Sequence, residues 1–204
     1  MDVGPHILRK RNANFNAIAT RTSAMTSRDQ MRSNASALLT PQQMDRADRA
    51  ALSSAISGFS LMQAAGAAVA VAIGARWPIG PVTVLCGPGN NGSTGFVSAS
   101  HLKSAGRAIK LALLGSRDTL SGEAAEAALQ WSNPIEPFTP KCLEGASIAI
   151  DAIFGAGLSR PLTGPALTQV EALKLSDIPV CAIDVPSGVD GSTGPYLAGR
   201  HRRT

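Results

Sequence analysis

Aromatic side chains are scarce in this chain of 204 residues, which has five Phe, two Trp and one Tyr. So few leave little material for the stacking platforms that grip single-stranded nucleic acid. Cysteine is scarcer still. Cys86, Cys142 and Cys181 are widely spaced and odd in number, which fits neither a disulfide framework nor a zinc site, and a reducing, cytoplasmic setting is the expectation. Of three His, only His101 falls in the body of the chain, so Ser-His-Asp and Cys-His arrangements lack a second candidate base. No Gly-x-Ser-x-Gly elbow occurs. The longest apolar stretch, Leu61 to Ala75, contains Gln63 and two Gly and falls short of bilayer length, so no membrane association is expected.

A net charge of +5 invites a nucleic-acid reading, but its location argues against one. Residues 1–36 carry six bases and two acids, and the last five residues carry Arg200, Arg202 and Arg203. Residues 37–199 hold ten bases and twelve acids, a net of −2. Nucleic-acid binding needs cations clustered on the folded face, so none is expected. Residues 1–36 are rich in Asn, Ser, Thr, Ala and Arg without an apolar period, and read as a disordered basic extension. Their Arg-rich, acid-poor composition is shared with transit peptides, but a simple extension ahead of the domain explains it as well. Residues 195–204 read as a polar basic tail.

What is present is one domain's worth of core, with 44% hydrophobic residues, over about residues 38–194. Thr40 before Pro41 marks a helix start, and a second helix is expected from Phe59 to Ile73, stopped by Trp77-Pro78 and Gly80-Pro81. Apolar runs at Val82–Cys86, Ala108–Leu114, Ala146–Ile150 and Pro179–Ile183 then alternate with helices expected at Thr94–Ala105, Gly122–Trp131 and Pro165–Leu175. Unbroken apolar strands alternating with helices indicate a mostly parallel, doubly wound α/β sheet.

In such sheets ligands bind beyond the carboxyl ends of the strands. Three of those ends are polar and glycine-rich: Gly87-Pro88-Gly89-Asn90-Asn91-Gly92, Asp151-Ala152-Ile153-Phe154-Gly155-Ala156-Gly157, and Asp184-Val185-Pro186-Ser187-Gly188-Val189-Asp190. The first is a literal Gly-x-Gly-x-x-Gly, yet Leu113-Leu114-Gly115 lacks the ribose-binding acid expected about 20 residues on. No Lys follows the loop, which excludes a P-loop. A phosphate at the helix start remains reasonable, as does a plain tight turn needing Gly. Asp151 and Asp184 read either as helix caps or, with Asn91 and Ser187, as oxygen ligands for a hard cation. One of them could also serve as a general acid or base. Arg160 is the basic residue among these loops and could pair with a phosphate.

These loops follow Leu38-Leu39-Thr40-Pro41, Asp45 or Asp48, and Leu61-Met62-Gln63-Ala64-Ala65-Gly66. In that order they resemble the YjeF N-terminal domain family, the NAD(P)H-hydrate epimerases, across residues 38–194. Each piece is weak alone and the combination is highly specific. The resemblance implies a Rossmann-like three-layer α/β/α fold and epimerisation at C6 of hydrated NADH or NADPH. That repair step supplies a partner dehydratase. By motif position it implies potassium held by Asn91, Asp151 and Ser187. It places substrate against Asn90, Asn91, Gly92, Ser93 and Thr94, against Gly155, Ala156, Gly157, Leu158, Ser159, Arg160 and Pro161, and against Asp184, the catalytic candidate. A homodimer is implied as well. The chain departs from the family at Ser93-Thr94, where Gly-Asp is usual, at Ser100 for Arg and at Gln63 for Glu. It also stops soon after Gly194, where the family continues into further strands, so an unpaired sheet edge is expected. Thr94 keeps open a second reading, a relative that binds a nucleotide-like ligand or a protein partner without turnover.

Overall fold

The computed structural model describes residues 39–54 and 56–195. The expectations for residues 1–36 and for 196–204 lie outside the described residues.

The first helix, α1 (Pro41–Ser53), starts where Thr40 predicts. Thr40 Oγ1 accepts the Gln43 N–H and Gln43 Oε1 accepts the Thr40 N–H, a reciprocal cap with Pro at the first turn. None of its residues is buried. Helix α2 (Gly58–Arg76) is capped by Ser57 and buries Met62, Gly66 and Ile73. It is longer than the apolar stretch that the sequence outlines, because Ser57 starts the helix three residues earlier and the Trp77-Pro78 stop admits Arg76. An 18-residue window of the helix has a mean hydropathy of 1.6, so by length and composition alone α2 is long and apolar enough to cross a membrane, although the stretch Leu61–Ala75 by itself is shorter. A side chain at Gly66 would collide with Val97, so glycine there lets the neighbouring helix approach closely.

Four parallel strands follow: β1 (Val82–Cys86), β2 (Ile109–Leu113), β3 (Ile148–Ala152) and β4 (Val180–Ala182), in the order β2-β1-β3-β4. Helix α3 (Asn90–Ser104) links β1 to β2, α4 (Gly122–Leu129) lies between β2 and β3, and α5 (Gly164–Leu175) links β3 to β4. Side chains alternate across the sheet. Val82, Val84, Cys86, Leu111, Leu113, Ile148 and Ile150 form one core with Phe96, Leu102, Ile73 and Trp131. Leu85, Ala112, Ala149 and Ile153 form the other with Leu143, Leu162, Val170 and Leu173. This is the three-layer, doubly wound architecture. Every residue of β1 is buried, as a central strand requires, whereas Val180 on the edge strand β4 stays 42% exposed.

The strands fall within a residue or two of the sequence expectation. The larger correction is at α3, which begins at Asn90 rather than Thr94, so Asn90, Asn91 and Gly92 form its first turn and not a loop. One long side chain ties the connections together. Arg107 donates to the carbonyls of Trp77 and Gly80, both at 2.6 Å, and clamps the segment entering β1.

Candidate functional site

The chain leaves β1 toward β2 and leaves β3 toward β4, so the winding reverses between β1 and β3, and a crevice opens at their carboxyl ends. Three segments close around it. The first is Gly87–Gly89 with the start of α3, where backbone approach is tight. The Gly87 N–H donates to the Ala152 carbonyl at 2.9 Å, and a Cβ on Gly87 would strike the Ile153 backbone. A Cβ on Gly92 would strike Gly87 itself. Glycine at both positions lets the helix N-terminus sit directly over the strand ends.

Asp151 lies within β3 and is 3% exposed. Its Oδ1 accepts the Ser187 hydroxyl at 2.6 Å and the Ile153 N–H at 3.2 Å, and its Oδ2 accepts the Ser187 N–H at 2.8 Å. Ser187 Oγ also accepts the Phe154 N–H at 2.9 Å and lies 3.1 Å from the Phe154 carbonyl oxygen. Ser187 is thus the rivet between two loops 36 residues apart. Burial pushes the Asp151 carboxyl up from its ordinary range, and the bonds from Ser187 and Ile153 only partly offset this. The helix-cap reading of Asp151 and Asp184 is corrected. Thr163 precedes α5, and both carboxylates instead join loops.

Asp184 is exposed at the crevice mouth. Its Oδ2 accepts the Ala156 N–H at 2.7 Å, and a side chain on Gly155 would collide with that carboxylate. Beyond it, Asp190 Oδ1 accepts the N–H groups of Ser192 and Thr193, each at 2.8 Å, which shapes the last turn and draws the Asp190 carboxyl below its ordinary range.

Bonds therefore bring together Asp151, Ser187, Asp184 and the Phe154–Ala156 backbone. Other sequence-predicted residues stand apart from this network. Asn90 is exposed; the Asn91 amide nitrogen is buried and has no partner among the described residues. Gly92, Ser93 and Thr94 are buried, with the Ser93 and Thr94 hydroxyls turned back onto the carbonyls of Gly89 and Asn90. Leu158 is half-buried; Gly157, Ser159, Arg160 and Pro161 are exposed, and Arg160 has no side-chain partner among the described residues. Of the remaining departures, Ser100 bonds the Phe96 carbonyl and Gln63 bonds Gln130. Sequence reasoning overlooked Phe154, whose main chain receives Ser187. Its place inside the Asp151–Gly155 motif was the available signal.

The chemistry available here is that of oxygen. Asp151, Ser187 Oγ and the Phe154 carbonyl lie together, and among the described residues no three His, Cys, Asp or Glu side chains cluster as a metal site. Such a donor set fits a hard cation of low charge. Asp184 meanwhile offers a solvent-reachable carboxylate at the mouth.

Comparison with known proteins agrees with this fold. The family described as YjeF-related protein N-terminus matches residues 58–200. An NAD(P)H-hydrate epimerase of Rhodobacter capsulatus is 41% identical over 178 residues, covering 79% of this chain and 82% of that protein. A bifunctional NAD(P)H-hydrate repair enzyme of Thermofilum pendens is 40% identical over 148 residues, 67% of this chain but only 28% of that protein. A yeast protein of known crystal structure superposes with a TM-score of 0.69 at 26% identity, covering 78% of this chain and 74% of the yeast chain.

Proposed function

Because the chain belongs to the family of YjeF-related N-terminal domains, we infer that the crevice between β1 and β3 is the active site of an NAD(P)H-hydrate epimerase. The observation that carries this reading is the riveted mouth: Asp184 is held by the Ala156 N–H, and that loop is held in turn by Ser187 on Asp151. The reaction inverts C6 of the hydrated nicotinamide ring. Asp184 gives a proton to the C6 hydroxyl, the C–O bond breaks, and the ring nitrogen's lone pair forms the C=N bond of an iminium. Water then adds to the opposite face, and its proton returns to Asp184. The start of α3 presents N–H groups to the anionic part of the substrate, and exposed Arg160 offers a second contact to phosphate. The S hydrate passes to a dehydratase, in keeping with the bifunctional repair enzymes among the relatives.

The buried carboxylate of Asp151, with no basic partner in its hydrogen bonds, is the feature that fits potassium. Asn91, Asp151 and Ser187 would hold it. Its charge would balance Asp151 and stiffen the two loops. The reading also includes a cytoplasmic location, with no membrane or nucleic-acid partner. Helix α2 is packed on α3 through Gly66, and its exposed Ala64, Ala65, Ala68 and Val71 are offered to a second copy in a homodimer.

The test is turnover of the R hydrate coupled to a dehydratase, with potassium present or replaced by a bulky organic cation. Acceleration over spontaneous epimerisation is expected, with a loss of about 100-fold or more in Asp184→Asn. Full turnover in that variant would overturn the role of Asp184. No acceleration by the unaltered chain would overturn the epimerase reading in favour of a binding module, the alternative that Thr94 raises.

A further inference from the structure

A dinucleotide has two ends, and the crevice at Asp184 accounts for one. We propose that a groove at the carboxyl end of β2 seats the adenosine end of the same substrate, with Glu136 reading its ribose. This rests on the epimerase reading.

The groove has a volume of about 460 Å³, inside the roughly 300–1,000 Å³ range of small-molecule sites. Leu113, Leu114, Pro137, Phe138 and Pro165 form its apolar walls, and Ser116 and Glu136 its polar edge. It lies one strand over from the glycine turn. Leu113 is opposite Cys86, and the Leu114 N–H donates to the Cys86 carbonyl at 2.8 Å, immediately before Gly87. Neighbouring strands are about 4.8 Å apart, so a ligand crossing the glycine turn reaches this groove without leaving the sheet's edge. Leu114 and Phe138 at the groove pack against the same apolar core as Phe154 and Leu158 beside the crevice. A second groove, of about 500 Å³ and lined by Leu143, Ala172 and Leu175 among others, lies at the opposite, amino ends of the strands, away from the site.

The charges specify which part of the substrate fits. Arg117 also lines the groove, and its Nη2 donates to the carbonyls of Ala128 and Trp131, which directs the guanidinium toward the end of α4. Glu136 is the acidic side chain in the groove lining. A dinucleotide site places an acid at the end of its second strand for the ribose hydroxyls. Here β2 itself ends in Leu113-Leu114-Gly115 without one. The segment holding Glu136 runs parallel beside β2, with the Glu136 N–H on the Leu111 carbonyl at 2.7 Å and a bridge to Ala112, and so supplies the carboxylate from outside the strand. Glu136 at this edge suits ribose hydroxyls and opposes a 2′-phosphate, while Arg117 is directed onto the carbonyls at the end of α4. The geometry therefore favours hydrated NADH over hydrated NADPH.

The probes are AMP and adenosine 2′,5′-bisphosphate, titrated into the full chain and followed by two-dimensional NMR and calorimetry. AMP is expected to shift the amides of Leu113 to Ser116 and to compete with the hydrate. Ser116→Trp should weaken AMP about tenfold, and Glu136→Gln should improve the bisphosphate relative to AMP by a similar factor, the worth of removing one like-charge contact. AMP that fails to bind, or that shifts no residue of the groove, would overturn the site. An unchanged ratio in Glu136→Gln would overturn the role of Glu136. Both results are independent of turnover, so absent epimerase activity with AMP seated in the groove would count against the reaction and not against the groove.

Discussion

Removing the Ser187 hydroxyl should loosen the site and the fold together. Ser187 is 2% exposed, and its Oγ donates to Asp151 at 2.6 Å while accepting the Phe154 N–H at 2.9 Å. In Ser187→Ala the Asp151 carboxylate loses a charge-assisted bond, worth about 1.5–3 kcal/mol net, and the Phe154 N–H is left without its acceptor, at about 1–3 kcal/mol. The backbone bond from Ser187 to Asp151 survives, and the two losses overlap because they share one network. A total of about 3 kcal/mol follows, which lowers the melting temperature by roughly 6–12 °C in a domain of this size. Urea denaturation followed by circular dichroism measures it, with Ser159→Ala as the control. Ser159 is exposed and outside the network, so its change should stay within about 0.5 kcal/mol. Asp151→Asn combined with Ser187→Ala should show a coupling of at least about 1 kcal/mol. A loss in Ser187→Ala no greater than in Ser159→Ala, or additive effects in the double variant, would refute the reasoning.

Gly92→Ala places a methyl group against the Gly87 backbone, whereas a methyl on nearby Gly89 meets nothing within 4 Å. The first should cost about 1–3 kcal/mol in urea denaturation and the second close to nothing; equal effects would refute the close approach at the glycine turn. Asp190 titrates below its ordinary range because the N–H groups of Thr193 and Ser192 stabilise its charge. A carboxyl lowered in the folded state contributes stability above its unfolded pKa and loses it as pH falls through the folded value. The stability gap between the unaltered chain and Asp190→Ala should therefore narrow below about pH 4. A gap independent of pH in chemical denaturation would exclude that contribution.

Where local chemistry decides, sequence and structure coincide. Val82–Cys86 reads as a buried strand because all five side chains suit a core on both faces, and it is one. Thr40 with Gln43 announces a helix start, and the reciprocal cap forms. The start of α3 was misplaced for an equally physical reason. Asn and Gly are weak helix formers. The helix nonetheless begins at Asn90, because glycine at 87 and 92 lets its first turn settle onto the strand ends. The apolar length of α2 was understated because Ser57 caps the helix ahead of the hydrophobic run.

By itself the sequence determined the class of fold and the three polar, glycine-rich segments at the strand ends, since strand and helix periods, glycine turns and acids at strand ends are properties of adjacent residues. It also marked Asp151, Asp184 and Ser187 as the polar groups of those loops. Only the tertiary structure decided how they join. The order β2-β1-β3-β4 sets β3 next to β1, so Asp151 can be riveted to a serine 36 positions away, and a glutamate outside β2 can stand at the end of that strand. Pairings of that kind depend on which strands become neighbours, and that is settled by burying two apolar faces at once rather than by any local run of residues.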